Sequence, residues 1–145
     1  MNKKSEKETK KDMLKEISER VLRRVGMWYD KVEIEEPSLP TESDYHVEIE
    51  FHTKAGEDFL IELSIPSDSD DLSSDFADAM QSYADDFDVD EYVEPLIPFR
   101  GKHGVPESIS ELVHDAEDTK KLLDELAFAA KFEAMHDIDM DRAEA

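Results

Sequence analysis

YHVEIEFHTKAGEDFLIELSI, residues 45–65, holds two runs in which apolar and polar residues alternate. Alternation places successive side chains on opposite faces of a β-strand, so each run predicts a strand with one apolar face. Residues 54–57, Lys-Ala-Gly-Glu, separate the two runs and predict a turn. The stretch therefore predicts an antiparallel hairpin whose apolar face must be covered by helices. The residues of that face are Val47, Ile49, Phe51, Phe59, Ile61, Leu63 and Ile65.

A helix and a short strand are predicted before the hairpin. Apolar residues recur at steps of three and four after Met13, which is typical of an amphipathic helix ending near Gly26. Val32 and Ile34 alternate with charged residues and predict a short strand, and Pro37–Pro40 predict a loop. The apolar positions of the helix are Leu14, Ile17, Val21, Val25 and Trp28.

Helices are predicted after the hairpin, from about Asp70 to Ala84, from Asp88 towards Phe99, and as one or two helices beyond Pro106. The predicted fold class is α+β, with an N-terminal helix, a small antiparallel sheet around the 45–65 hairpin, and three to four helices packed on one face. We expect a flexible basic N-terminus over residues 1–12, a single domain over 13–134, and a loose acidic tail over 135–145.

The 145-residue chain carries a net charge of −22, which is distributed unevenly. Residues 1–31 hold ten Lys or Arg against six Asp or Glu, whereas residues 32–145 hold seven against thirty-three. Between Lys54 and Arg100 there are fourteen carboxylates and no lysine, arginine or histidine. A long field of one sign costs self-repulsion, and its usual physical use is to attract a charged partner or to imitate one. The field predicts a partner with a strongly basic groove.

The candidate partner-binding residues are the carboxylates of the segment 68–94. On the predicted helix their charges recur about 5–6 Å apart, whereas duplex DNA carries one charge per ~1.7 Å of its axis. One helix is therefore too dilute to imitate DNA, and mimicry requires the polar hairpin face, the helix and residues 85–94 to meet on one surface. An ordinary solvated helix face, or the acidic surface of a salt-adapted organism, is the alternative. The eleven candidates are Asp68, Asp70, Asp71, Asp75, Asp78, Asp85, Asp86, Asp88, Asp90, Glu91 and Glu94.

Other chemistries have little support in the sequence. Asp86, Asp88 and Asp90 match the first three ligand positions of a calcium loop, but Glu91 and Ile97 stand where its glycine and bidentate glutamate belong. His46 and His52 are roughly 20 Å apart along one strand and cannot share a metal ion. There is no cysteine, no nucleophile motif and no apolar run near the ~18 residues of a membrane span. We expect no enzymatic activity, no cofactor, no metal site and no membrane segment.

Residues 85–93, DDFDVDEYV, and residues 100–118, RGKHGVPESISELVHDAED, add a resemblance. They resemble a C-terminal module in small acidic proteins of phages and mobile elements of Gram-positive bacteria, over roughly residues 76–130. The resemblance, together with the acidity, implies an anti-defence role such as that of anti-CRISPR proteins or ArdA-like anti-restriction DNA mimics. It carries over no functional residue and does not cover the first half of the chain.

These observations predict a non-enzymatic inhibitor that acts in the cytoplasm of a bacterial host. Its acidic surface would occupy the nucleic-acid-binding groove of a defence nuclease, Cas9 first, without binding nucleic acid itself. An anti-restriction DNA mimic is the near alternative. An acidic structural or adaptor protein of a phage, binding through an apolar patch, is the alternative of a different class. The sequence leaves the oligomeric state open.

Overall fold

The computed structural model describes residues 6–37, 44–102 and 105–144. It confirms the α+β class, with an N-terminal helix, a three-stranded antiparallel sheet and further helices that follow in the chain. The elements are α1 (Glu6–Val25), β1 (Lys31–Glu35), β2 (Asp44–His52), β3 (Asp58–Pro66), α2 (Leu72–Asp86), α3 (Val89–Val93), a 3-10 helix (Glu94–Phe99) and α4 (Ile109–Glu144).

The sheet has the strand order β1-β2-β3, and both neighbouring pairs are antiparallel. Burial alternates along every strand, so the inward face predicted for the hairpin is confirmed from Val47 to Ile65. Val32 and Ile34 continue that face onto β1. The loop predicted at Pro37–Pro40 falls largely on residues 38–43, which lie outside the described part of the chain. The opposite face of the sheet, which is mainly charged, is open to solvent.

Helix α1 differs from its prediction at both ends. It begins at Glu6 instead of Met13, because the charged residues of this segment are good helix formers and no glycine or proline interrupts them. At the other end Gly26 adopts a φ of 75°, the left-handed conformation that stops a helix. Trp28 therefore leaves the apolar helix face to which it was assigned, and its side chain is 81% exposed.

Helix α4 is one continuous helix of 36 residues, about 54 Å long. It begins after Ser108, whose hydroxyl accepts a hydrogen bond of 3.1 Å from the Glu111 amide and so caps the helix. No glycine or proline follows Pro106, and the backbone remains helical to Glu144. The segment 135–144, predicted as a loose tail, is thus helical in backbone. Buried alanines at positions 127, 129, 130 and 134 face the core.

The main core lies between the inner face of the sheet and helices α1, α2 and α4. At one end of this core four aromatic rings pack together, with Phe59 in the middle. Its ring centroid lies 5.1 Å from that of Phe51, 6.0 Å from Phe87 and 5.7 Å from Tyr92. These contacts fasten the hairpin to the junction between α2 and α3. No helix in the described residues is long and apolar enough to cross a membrane.

Candidate acidic interaction surface

The solvent face of the sheet carries a row of three carboxylates that cross all three strands. The register places Glu33 opposite Glu48, and Glu48 opposite Glu62. Directly opposite residues of antiparallel strands have Cα atoms about 4.5–5.5 Å apart, so the three residues span roughly 10 Å. Like charges in opposite positions destabilise a sheet. The row is therefore held together by the core beneath it and not by attraction among its members.

The crowding of this row is reflected in the pKa of Glu48. Desolvation raises that pKa first, and the charges of Glu35, Glu33, Glu62 and Glu50 raise it further. One cation offsets part of the field, since the Lys31 ammonium lies 2.6 Å from the Glu33 carboxylate, at the edge of the sheet. Five carboxylates thus share one small patch with a single bridging lysine. We call these five residues, Glu33, Glu35, Glu48, Glu50 and Glu62, the sheet patch.

The candidate residues on α2 are solvent-facing as predicted, but several also serve the local structure. Asp71 is the N-cap of the helix and accepts a hydrogen bond of 3.1 Å from the Ser74 amide. Asp75 is half-buried and accepts a hydrogen bond from the Ser69 hydroxyl. Asp85 accepts a hydrogen bond of 2.9 Å from the Gln81 side chain. Asp78 and Asp86 are exposed, as are Asp68 and Asp70 in the turn before the helix.

The end of α2 is acidic, although a helix C-terminus favours cations. Asp85 and Asp86 occupy its last turn, and that turn contains no basic residue. Lys120 of α4 donates a hydrogen bond to the carbonyl of Ala84 and also lies 3.0 Å from Asp124. A cation from another helix thus reaches the carbonyl end of α2.

The remaining candidates lie in and around the short helix α3. Asp88 is its N-cap and accepts a hydrogen bond of 3.1 Å from the Glu91 amide. Asp90 and Glu91 form its first turn, and Glu94 opens the 3-10 helix that follows. All four side chains are exposed. The aspartates with calcium-loop spacing are therefore divided among the end of α2, a cap and the start of α3.

The sheet, α2 and the α3 segment meet along strand β3. The Tyr83 hydroxyl of α2 donates a hydrogen bond of 3.1 Å to the Leu60 carbonyl, which ties the helix to the edge of the sheet. Burial and the charge of Glu62 raise the pKa of Tyr83, so this tyrosine lies next to the sheet patch. Beside it is a cavity of about 370 Å³ whose rim carries Asp58, Asp86 and Asp88. We call this site the β3 cleft.

Two buried carboxylates lie behind the cleft. Burial raises the pKa of Glu57, the charges of Asp115 and Asp58 add to the rise, and the Tyr92 hydroxyl opposes it. Burial and the nearby Glu57 carboxylate likewise raise the pKa of Tyr92. Glu57 Oε2, Asp115 Oδ2 and the Tyr92 hydroxyl make no hydrogen bond of standard geometry among the described residues. The other Asp115 oxygen accepts a hydrogen bond of 3.1 Å from the Ala55 amide.

Both histidines of β2 lie on the solvent face of the sheet and contact polar side chains there. The His52 ring lies between two carboxylates, 2.6 Å from Asp30 and 2.7 Å from Asp58. His46 lies 3.5 Å from the Ser64 hydroxyl. Within the ranges that the structure describes, no group of three or more His, Asp or Glu side chains is arranged to hold a metal ion.

The structure brings together some of the predicted site residues and separates others. Asp86 and Asp88 meet at the β3 cleft, where they are joined by Asp58. Asp68 and Asp70 lie in the turn that leads into α2. The site residues predicted from the sequence include none of the five members of the sheet patch, Glu33, Glu35, Glu48, Glu50 and Glu62. Their alternation with apolar residues already placed them on a polar face, but only the three-strand register brings them side by side.

Comparisons with protein-family models, with curated protein sequences and with solved structures find no match to this chain.

Proposed function

We propose that this protein is a non-enzymatic anti-defence inhibitor of a phage or mobile element. In this proposal its acidic surface occupies the nucleic-acid-binding groove of a nuclease in the cytoplasm of the bacterial host, and Cas9 is the first target. The observation that supports the proposal is the meeting of the sheet patch, the end of α2 and the α3 segment along strand β3. This convergence is the geometric condition that a single acidic helix could not meet.

The charge density of the sheet patch supports DNA mimicry better than the charge density of the carboxylates along α2 does. The sheet patch holds five carboxylates across three strands, and Glu35 and Glu50 flank the central row on opposite sides, so the patch covers roughly 10 Å by 13 Å. Within the row, opposite Cα atoms are about 4.5–5.5 Å apart, slightly nearer to the ~3.4 Å charge spacing of a single DNA strand than the ~5–6 Å between neighbouring positions on a helix face. Because the patch lies on a sheet packed against the main core, its charges are positioned before a partner arrives. A preorganised field loses less conformational entropy on binding than a flexible acidic segment.

A nuclease groove has the matching chemistry. Cas9 holds its heteroduplex in a positively charged channel and reads its short DNA signal with paired arginines. Arginine binds carboxylates and phosphates through the same two-pronged hydrogen bonds. Each exposed carboxylate of the sheet patch and the β3 cleft can therefore take the place of a phosphate. The raised pKa of Glu48 is expected to fall when a guanidinium lies beside it.

The test is competition with DNA. Guide-loaded Cas9 is mixed with this protein, target duplex is added, and bound duplex is measured at low and at physiological salt. We expect the wild-type protein to block duplex binding, and the block to weaken as salt rises because exposed charges are screened beyond ~8–10 Å. Full duplex binding beside a stably attached inhibitor would replace groove occupation by an allosteric mechanism. If Cas9 is not bound at all, it is excluded as the target, and the same assay with a restriction endonuclease tests the near alternative.

Matched variants locate the binding surface. Glu33→Gln, Glu48→Gln and Glu62→Gln together remove three charges from the sheet patch, and this triple variant is expected to lose most of the inhibition. Glu107→Gln, Glu111→Gln and Glu117→Gln remove three exposed charges near the start of α4 and serve as the control of equal net charge. Equal losses in the two triple variants would mean that only total charge matters. Inhibition that survives when Asp75, Asp78, Asp85, Asp86, Asp88 and Asp90 are also neutralised would refute the mimic proposal.

A further inference from the structure

Helix α4 presents an exposed apolar stripe on the part of its surface that faces away from the core. The exposed fractions of Phe128, Phe132 and Met135 are 72%, 45% and 59%. Steps of four and three residues place the three side chains on one face of the helix. Trp28, 81% exposed, lies to one side of this stripe, where it lines a cavity of about 330 Å³ together with Lys121 and Glu125 of α4. Exposed aromatic side chains grouped in this way are typical of a protein interface.

We propose that this stripe is the interface of a symmetric dimer, in which α4 packs antiparallel against α4 of a second copy of the chain. The two-fold axis passes through Phe128. In such an arrangement a residue before Phe128 lies at the height of the partner residue the same number of positions after it, and two side chains meet across the interface when they project from the same flank of the stripe. The inference goes beyond the proposed function and does not depend on it.

The charges around Phe128 are complementary under this symmetry. Asp124 lies four residues before Phe128 and Lys131 lies three residues after it; at about 100° per residue both project from the same flank of the stripe, and both side chains are exposed. Each Asp124 therefore lies beside the partner's Lys131, which gives two equivalent ion pairs per dimer. On the other flank, Glu125 lies beside the partner's Phe132, over whose ring the Arg24 guanidinium is stacked at 4.3 Å in each copy.

The shapes at the two ends of the stripe are complementary as well. Met135 lies seven residues after Phe128, about 10.5 Å along the helix axis. The position seven residues before Phe128 is Lys121, on the same face of the helix, and its side chain lines the cavity beside Trp28. Each exposed Met135 therefore faces the aliphatic stem of the partner's Lys121, at the border of that cavity. Methionine is flexible and fills irregular apolar gaps well, so it suits this place.

The distribution of charge favours a second copy on this face. Two bodies of net charge −22 repel each other wherever the sheet patch or α2 would form the contact. Around the stripe, Arg24, Lys121 and Lys131 balance the nearby carboxylates. The exposed parts of the three aromatic rings amount to roughly 300–500 Å² per copy. Met135 and the flanking charged side chains bring this towards the ~800 Å² that each partner buries in a standard interface.

The oligomeric state of the full chain tests the proposal. Sedimentation equilibrium over a concentration series is expected to show twice the monomer mass of 16.7 kDa for the wild-type protein. Phe128→Asp is expected to give a folded monomer whose circular dichroism spectrum matches that of the wild type and whose melting temperature no longer depends on protein concentration, because this side chain is exposed in the monomer and its substitution removes only the dimer contact. Phe99→Asp is the matched control, since Phe99 is 54% exposed on the 3-10 helix and should leave the dimer intact. A wild-type protein that remains monomeric up to about 1 mM overturns the proposal, as does a dimer that persists with Phe128→Asp.

A charge exchange tests the register. Asp124→Lys alone and Lys131→Asp alone each place like charges beside one another, and each should weaken dimerisation by about tenfold or more. The double variant restores opposite charges and should return the dissociation constant to within about threefold of the wild-type value. If the two losses add in the double variant, these residues do not face each other and the axis at Phe128 is wrong.

Discussion

Replacing Phe59 by alanine removes the ring at the centre of the aromatic cluster. Phe59 is 7% exposed, and its neighbours are Phe51, Phe87 and Tyr92, whose ring centroids lie within 6.0 Å of its own. A buried Phe→Ala change costs about 3–5 kcal/mol in unfolding free energy. Ring pairs add about 0.5–1.5 kcal/mol beyond area burial, so we expect a loss in the upper part of that range, about 4–5 kcal/mol.

This loss is a large fraction of the ~5–15 kcal/mol by which a domain is stable. With an unfolding entropy of about 2.1 cal/mol/K per residue, it corresponds to a decrease in melting temperature of roughly 13–16 °C. Circular dichroism melting gives this decrease, and urea unfolding gives the free energy independently. Phe99→Ala is the control, because an exposed ring should change stability by less than about 0.5 kcal/mol. A loss below about 1 kcal/mol for Phe59→Ala would show that the cluster does not fasten the hairpin to α2 and α3.

Glu57→Gln should stabilise the protein, because it removes a buried charge near Asp115 without changing the shape of the side chain. The folded pKa of Glu57 is raised above 4.5, so its contribution to stability is fully present below that pH and is lost as the pH rises. Melting curves should therefore show a larger gain at pH 7 than at pH 4, and an equal gain at both would contradict the assignment. Tyr83→Phe should cost about 0.5–1.5 kcal/mol through the lost hydrogen bond to Leu60. Urea unfolding measures that cost, and an unchanged midpoint would mean that the bond does not stabilise the edge.

The sheet and its inward face could be predicted from the sequence because alternation in β2 and β3 is strong and local. The predictions of where the helices begin and end were less accurate. From the spacing of apolar residues, Trp28 was predicted to lie on the apolar face of the first helix. In the structure the left-handed conformation of Gly26 ends this helix at Val25. Whether α4 is one helix or two could not be decided from spacing. The helix packs against α1 and α2, which are distant in sequence, so its continuity depends on tertiary contacts that spacing does not show.

The candidate site, like the fold, could be predicted from the sequence only in part. The exposure of the acidic residues on α2 and α3 follows from helix periodicity and was predictable. The Glu33–Glu48–Glu62 row requires the pairing of β1 with β2, across a connection that carries no register signal of its own. The cluster of Glu57, Tyr92 and Asp115 joins a turn, a short helix and a long helix, and no local pattern in the sequence points to it.

The acidic end of α2 has a consequence for how binding is coupled to local order. Its last carbonyls and two aspartates concentrate negative potential at one point, and Lys120 reaches that point from α4. A guanidinium arriving at Asp86 from outside adds a second cation at the same helix end, where cations are stabilising. Occupation of the β3 cleft should therefore suppress fraying of this turn, and hydrogen exchange of its amides should slow in the complex. Under the proposed function this helix end would report occupancy, because its protection would rise with the fraction of partner bound.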